Sequence, residues 1–469
     1  MPSITDPSSK VVGEAARDTT RATIGGAGFA LAVLFGMNLL NYIDRYIFFS
    51  VGGAITKDLG LTDTLFGVLA GSFMIVYTFI SPLVGVLGDR IDRRRLLAFG
   101  VGLWSVATLG TALAQNYNQM FFWRALLGVG EASYGVIAPA LLADLFDARK
   151  RGRVMGLFYL ALPLGAAIGF VIGGVVTQYA SWRASFLVVG FPGLLVALMG
   201  LRILDPGRGA AESRASSGKS ERPGLSDYLL LFRNRTFLLN TAGMAGVTFA
   251  TGAFASWGSQ FYTRVRGMNH AEASQWLGIL MAIAGLVGIS MGTWLTDLML
   301  RKTRRAYLVW ASIAIAAAVP FGLAGLLATD VKISLGLLFL SSILMASVLG
   351  PCNTVIANVV PAAERAAGYA LSIFLVHILG DISSPILVGT VSDRLGRSAI
   401  ADSRLATALE SVGAVTVDGT NLTAGLLLVI PALVFAVVFF WIGSFFLPRD
   451  QARAAALGSH SPHEAIFHH

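Results

Sequence analysis

The chain has 469 residues, 55% of them apolar and only 13% charged, with a mean hydropathy of +0.70. Such a composition excludes an ordinary soluble globular protein and a disordered one alike. The formal charge of +9 invites a nucleic-acid partner, but its distribution along the chain argues against one.

In chain order, a tail over 1–26 leads into a first hydrophobic run at 27–51. Eleven more runs follow, at roughly 66–88, 95–114, 119–145, 153–177, 184–204, 237–262, 273–298, 306–328, 333–360, 366–391 and 422–447. Each approaches the ~20 apolar residues that a bilayer-crossing helix needs. The first run starts too deep and is too long for a cleaved signal peptide, so it is expected to remain as a span. The predicted fold class is an all-α membrane protein of twelve transmembrane helices. Asp205 to Gly224 is rich in Gly, Ser, Pro and charge, a linker signature. It divides the chain into an N-terminal six-helix bundle over 27–204, a linker over 205–236, a C-terminal bundle over 237–447 and a tail over 448–469. Residues 226–235 read as an amphipathic surface segment, and 399–412, within the connection 392–421, as a short helix. Both long connections are too short to hide an enzyme domain, and no enzyme is expected.

With the N-terminus placed inside, the inner segments carry 25 Lys and Arg and the outer segments 8, while Arg45 and Arg124 fall within spans. That asymmetry is the positive-inside rule, so both termini are expected in the cytoplasm. Arginine outnumbers lysine 29 to 6, which together with abundant alanine suggests a bacterial inner membrane.

Asp44 and Arg45 lie side by side within the first run. A charge at membrane depth costs at least ~2.5–3.5 kcal/mol on insertion scales, so such groups usually face a partner or a water-filled path. Span four adds Arg124 and Glu131, seven residues apart on one helix face and about 10 Å apart along the axis. The four can form one cluster of zero formal charge, which suits a cavity and also suits structural pairing. Carboxylate protonation responds to desolvation and to a neighbouring cation. Arginine stays charged and presents a planar fork suited to phosphate or carboxylate. Asp44 and Glu131 are thus the proton-coupling candidates, and Arg45 or Arg124 the anchor for an anionic headgroup, with Tyr42 nearby to line the path. In span eleven, His377 and Asp381 share a face and can relay a proton or bind a headgroup; a buried pair bracing the helix beside Pro385 is the alternative. No further ligands stand at metal spacing, so neither metal nor other cofactor is expected. Cys352 is the single cysteine, which excludes an intrachain disulfide.

A motif follows span two: Gly85, Leu87, Gly88, Asp89, Arg90, Arg93 and Arg94. Its G-x-x-x-D-R-x-x-R spacing returns after span eleven as Gly389, Asp393, Arg394 and Arg397, at the opposite end of the bundle. Inverted three-helix repeats within each half would generate that echo.

The twelve spans, the motif at Gly85–Arg94 and the R-x-x-x-G-x-G of Arg124, Gly128 and Gly130 resemble the major facilitator superfamily. Asn41 to Tyr46, Arg124 to Tyr134 and His377 to Pro385 are similar to the Spinster family of lysolipid and sphingolipid transporters. The resemblance implies two six-helix bundles with inverted three-helix repeats working by alternating access, in a chain expected to be a monomer. It places Asp89 against the start of span eleven, near Ala366–Gly368, as a latch while the inner mouth is shut, with Arg90 and Arg93 bracing it. It also makes spans five and eight neighbours between the halves, so the glycines at 165, 169 and 173 and at 278, 285, 288 and 292 are expected to form a seam there. The expected function is proton-coupled transport of an amphipathic anion such as a lysolipid. An organic-anion/proton symporter or a multidrug exporter of the same superfamily is the alternative. The expected partners are the lipid bilayer, protons and that anionic small molecule, with no nucleic acid.

Overall fold

The computed structural model describes residues 7–88, 90–206, 231–361, 364–396, 404–411, 413–414 and 416–459. Among the described residues twelve helices are long and apolar enough to cross a membrane. Spans one to six are Gly26–Ser50, Asp63–Gly85, Arg93–Ala112, Tyr117–Leu145, Lys150–Tyr179 and Trp182–Gly200. Spans seven to twelve are Arg235–Val265, His270–Leu300, Ala306–Leu327, Val331–Val359, Ala367–Gly396 and Leu422–Ala456. Among the described residues no strand forms beyond a single bridge between Val417 and Thr420. The helix Arg404–Ser411 occupies part of the connection expected to hold one. Of the segment 226–235, residues 226–230 lie outside the described residues.

Short polar residues set where many of these helices begin. Asn116, Ser181, Asn234, Asn269, Asp330 and Asn421 each accept a hydrogen bond from a first-turn backbone N–H of spans four, six, seven, eight, ten and twelve, satisfying donors that a helix start leaves unpaired. Asp92 does the same for span three, accepting from Arg94 N at 2.9 Å. The Arg94 side chain, paired with it at 2.8 Å, holds the Asp92 carboxyl down to about 2. A lowered carboxylate adds stability that is fully present above its ordinary value and lost only as pH falls through about 2. This cap is therefore charged at any working pH.

Packing repeats with an offset of six. Span one packs on five and six, two on four, and three on four and six; span seven packs on eleven and twelve, eight on ten, and nine on ten and twelve. The two bundles meet where span two lies on span eleven and span five on span eight. Large apolar side chains such as Phe191, Leu195, Trp294 and Phe435 face outward, each more than half exposed, as a lipid-facing surface requires.

The glycine seam follows the expectation only in part. A Cβ at Gly165, Gly169 or Gly173 would strike Tyr42, the Ile43 carbonyl or Ser50, all on span one. Gly288 and Gly292 lie against Ile343 and Ser347 of span ten. These five glycines let helices within one bundle approach closely. The contact between spans five and eight keeps two of the expected span-eight glycines, with Gly278 against Ala167 and Phe170 and Gly285 facing Pro163, while on span five Gly174, which the stripe did not include, meets Ser274.

The end of the molecule that carries the linker and both tails is termed the linker end, and the opposite one the far end.

Candidate functional site

Span one reaches the site as an unbroken helix held by the glycine face of span five, which turns Asp44 toward span three and Arg45 toward span four. Arg45 Nη2 donates to Glu131 Oε2 at 2.7 Å. Asp44, 1% exposed, meets the Thr108 hydroxyl of span three through Oδ2. That hydroxyl also lies 3.0 Å from the Trp104 carbonyl. A hydroxyl has one proton to give. When Thr108 donates to Trp104, its contact with Asp44 is a hydrogen bond only if the Asp44 carboxyl carries the proton.

Among the described residues Arg124 has no hydrogen-bond partner on any of its three nitrogens, and it is fully buried. Its guanidinium instead lies 4.0 Å from the Phe48 ring centre and 4.8 Å from that of Phe73. The Arg45 guanidinium sits 4.7 Å from the Phe73 ring centre and 5.5 Å from that of half-buried Tyr42, so one phenyl ring serves two cations. Asp44 Oδ1, Glu131 Oε1 and Arg45 Nε also lack partners among the described residues. The cluster thus holds more polar atoms than bonds to satisfy them. Arg45, 18% exposed, is its accessible edge.

Across the interface, His377 Nδ1 and Asp381 Oδ2 are 2.7 Å apart, each about a quarter exposed. Both lie in a π-helical turn, His377–Ile382, that interrupts span eleven. Asp381 is within electrostatic reach of the Tyr46 hydroxyl on span one, so this pair forms a separate group on the opposite wall.

Above the cluster the path is plugged. Phe48 stacks on Phe66 at 5.2 Å, Phe66 meets Trp257 edge-on at 5.1 Å, and Trp257 Nε1 donates to the Pro385 carbonyl at 3.2 Å. Beyond this aromatic seal lies a network of charge. Asp63, the first residue of span two, takes both Nη1 and Nη2 of Arg264 from span seven, at 2.8 and 3.1 Å, and the Ser392 hydroxyl at 2.6 Å. Asp393 of span eleven accepts from Asp63 N at 3.1 Å, Thr64 N at 2.8 Å and Thr64 Oγ1 at 2.6 Å. The cap of span two is therefore supplied by the other bundle. Ser50 adds bonds to Ser259 and Ser274. The hydrogen bonds that join the halves among the described residues all lie at this far end. A polar vestibule of about 880 Å³ opens beyond them, lined by Lys57, Asp63, Gln260, Arg264, His270 and Asp418 among others.

Of the other motif residues, Arg93 binds Asp144 at 2.5 Å and also Asp205, tying span three to span four and to the start of the linker. Arg90 and Arg394 are exposed. Gly85 has only Val136 near its open side. Asp89, expected as the inner latch, lies outside the described residues. Sequence reasoning missed Thr108, Phe48, Phe73, Asp63 and Arg264. The last two carried a signal: an acid opening span two and a base closing span seven, each on the end poor in cations.

Gly67 sits where span two meets span eleven. A Cβ there would strike the Pro385 carbonyl across the halves, and a backbone carbonyl cannot yield as a side-chain tip can. Gly67→Val is expected to wedge the far end apart while leaving each bundle folded. The check is the distance between spin labels on Lys57 and Asp418, which should lengthen; an unchanged distance with unchanged stability would show that the contact tolerates a side chain.

Two helical bundles with a sealed far end and buried ionisable groups at mid-depth define a membrane transporter. The Major Facilitator Superfamily pattern matches residues 34–385. Protein spinster homolog 1 of Xenopus tropicalis is 31% identical over 383 residues, covering 77% of this chain and 72% of the relative. Protein spinster homolog 1 of Homo sapiens is 31% identical over 400 residues, covering 80% and 74%. The crystal structure of a bacterial homolog to the human lysosomal transporter Spinster, inward-facing and unoccupied, shares the fold with a TM-score of 0.79 at 22% identity, covering 91% of this chain and 98% of that one. The chain belongs to the Spinster family of the Major Facilitator Superfamily.

Proposed function

We propose that this chain is a proton-coupled transporter of an amphipathic, anionic, lipid-like molecule, working by alternating access with its linker end in the cytoplasm. The excess of Lys and Arg at the linker end supports that orientation, and the excess of arginine over lysine favours a bacterial inner membrane. The observation that carries the reading is the under-satisfied cluster of Asp44, Arg45, Arg124 and Glu131. A half-paired polar network is costly in a low-dielectric interior, and such a network earns its place by changing partners. Protonated Asp44 is content with Thr108. Once the proton leaves, Arg124 is the cation with every donor free to receive the carboxylate. An anionic headgroup arriving at partly exposed Arg45 competes with Glu131 for one guanidinium, and a proton can then take the cation's place on Glu131. Headgroup and proton are thereby linked through Arg45. In the arrangement described, the far mouth is shut by Asp63, Arg264 and Asp393.

The substrate reading is tested by chain length. Burying a tail adds roughly 0.8 kcal/mol per CH₂, so binding of lysophospholipids or sphingoid phosphates should strengthen with each methylene until the tail finds no further apolar surface to bury against. Arg45→Ala should weaken the whole series by one constant factor, about tenfold or more, since one charge-assisted contact is lost. Lactate-sized anions are the controls. Affinity independent of chain length, or controls that bind as well as lipids, would replace this substrate by a small organic acid.

A further inference from the structure

On the C-terminal bundle, at the linker end and away from the path between the halves, a groove of about 570 Å³ is lined by Leu300, Arg304, Tyr307, Asn358, Arg365, Gln451 and two alanines. Its depth follows from its walls: spans eight and ten end in it, span nine begins in it, Arg365 opens the helix leading into span eleven, and span twelve passes its close. That is the level at which a leaflet places its phosphates.

Its chemistry is one-sided. Arg304 and Arg365 are exposed and, among the described residues, make no hydrogen bond or ion pair. Asn358, bonded to Tyr307, and Gln451 add neutral polar groups, and no acid is among the lining residues. Asp297 is the acid within electrostatic reach, on the Tyr307 side, and Glu364 precedes Arg365. Leu300, Ala454 and Ala455 supply an apolar floor. The positive-inside bias explains how many cations this end carries. It does not explain why two unpaired guanidiniums from separate segments converge on one groove with an apolar floor. Guanidinium pairs recognise phosphate oxygens with charge-assisted hydrogen bonds, and basic pockets between helices on the cytoplasmic side are suited to anionic lipid headgroups.

We propose that this groove is a binding site for the phosphate headgroup of an anionic glycerophospholipid of the linker-end leaflet, held by Arg304 and Arg365 with its glycerol over Leu300, Ala454 and Ala455. The site is independent of the transport path, so it stands or falls apart from the proposed function.

The test is native mass spectrometry of the full chain, titrated with phosphatidylglycerol or phosphatidylcholine of equal chain length. Retained adducts are expected for phosphatidylglycerol and not for phosphatidylcholine. Arg304→Gln and Arg365→Gln should each weaken the first adduct about tenfold, while Arg153→Gln, an exposed cation at the same end of the other bundle, should leave it unchanged. Equal loss in all three variants would reduce the effect to general surface charge and overturn the site. Glycerol 1-phosphate added in excess should fail to displace the lipid. Full displacement by that soluble phosphate would overturn the lipid as occupant. Thermal unfolding of the lipid-free variants shows whether either substitution damages the fold, and Arg365→Lys, which keeps the charge, should restore part of the affinity.

Discussion

Replacing Asp44 by Asn is expected to reduce pH-gradient-driven transport in proteoliposomes to background while leaving substrate binding in place. Asparagine keeps the shape of the side chain and its contact with Thr108 but cannot gain or lose a proton. A gradient biases two conformations only through a group whose proton affinity differs between them. Without such a group the free energy of the gradient has no purchase on the protein. Glu131→Gln should act similarly and additionally free Arg45, so its substrate affinity should rise as transport falls. The two variants are therefore separable: unchanged affinity in the first, tighter binding in the second. Wild-type dependence on pH in both variants would show that protons do not pass through this cluster.

The second large effect is expected at the far end. Asp393→Ala removes the carboxylate that receives Asp63 N, Thr64 N and Thr64 Oγ1. A charge-assisted hydrogen bond is worth about 1.5–3 kcal/mol, so even one such loss shifts the ratio of far-closed to far-open molecules roughly ten- to a hundredfold. Arg264→Gln should produce a comparable shift by leaving Asp63, 2% exposed, without its cation. Spin labels on Lys57 and Asp418 should report a longer distance in both variants, and transport should slow because the far-closed state becomes scarce. Because Asp63, Arg264 and Asp393 share one network, the double variant should cost less than the sum of the singles. A distance distribution identical to wild type would remove these residues from the gate.

The spans were legible because length and apolarity alone decide whether a helix crosses a bilayer, and Asp44 and Arg45 were conspicuous because charge is costly there. The pairing within the cluster was not legible. Nothing in the order of residues reveals that Thr108 of span three stands opposite Asp44, or that Phe73 lies between two arginines, since both depend on how three helices rotate against one another. The glycine stripes show the same boundary. Their spacing identified a close helix contact, while the partner, span one in place of span eight, depends on which face turns inward. Asp393 was singled out through its echo of the motif at Asp89. Its actual contact, the opening turn of span two, is the mirror image of the contact expected for Asp89 at the opening turn of span eleven.

The π-helical turn at His377–Ile382 sets where that mirror contact falls. Such a turn carries one residue more than the α-helical turn it replaces, and each residue of an α-helix advances the azimuth by about 100°. Every side chain beyond Ile382 therefore points a quarter-turn or so away from where an uninterrupted helix would aim it. Removing a single residue from 377–382 would return span eleven to α-helical phase and swing Asp393 off the start of span two, although no gate residue had been touched. The turn that holds the His377–Asp381 pair is thus also the phase setting of the far-end lock, and the two cannot be altered independently.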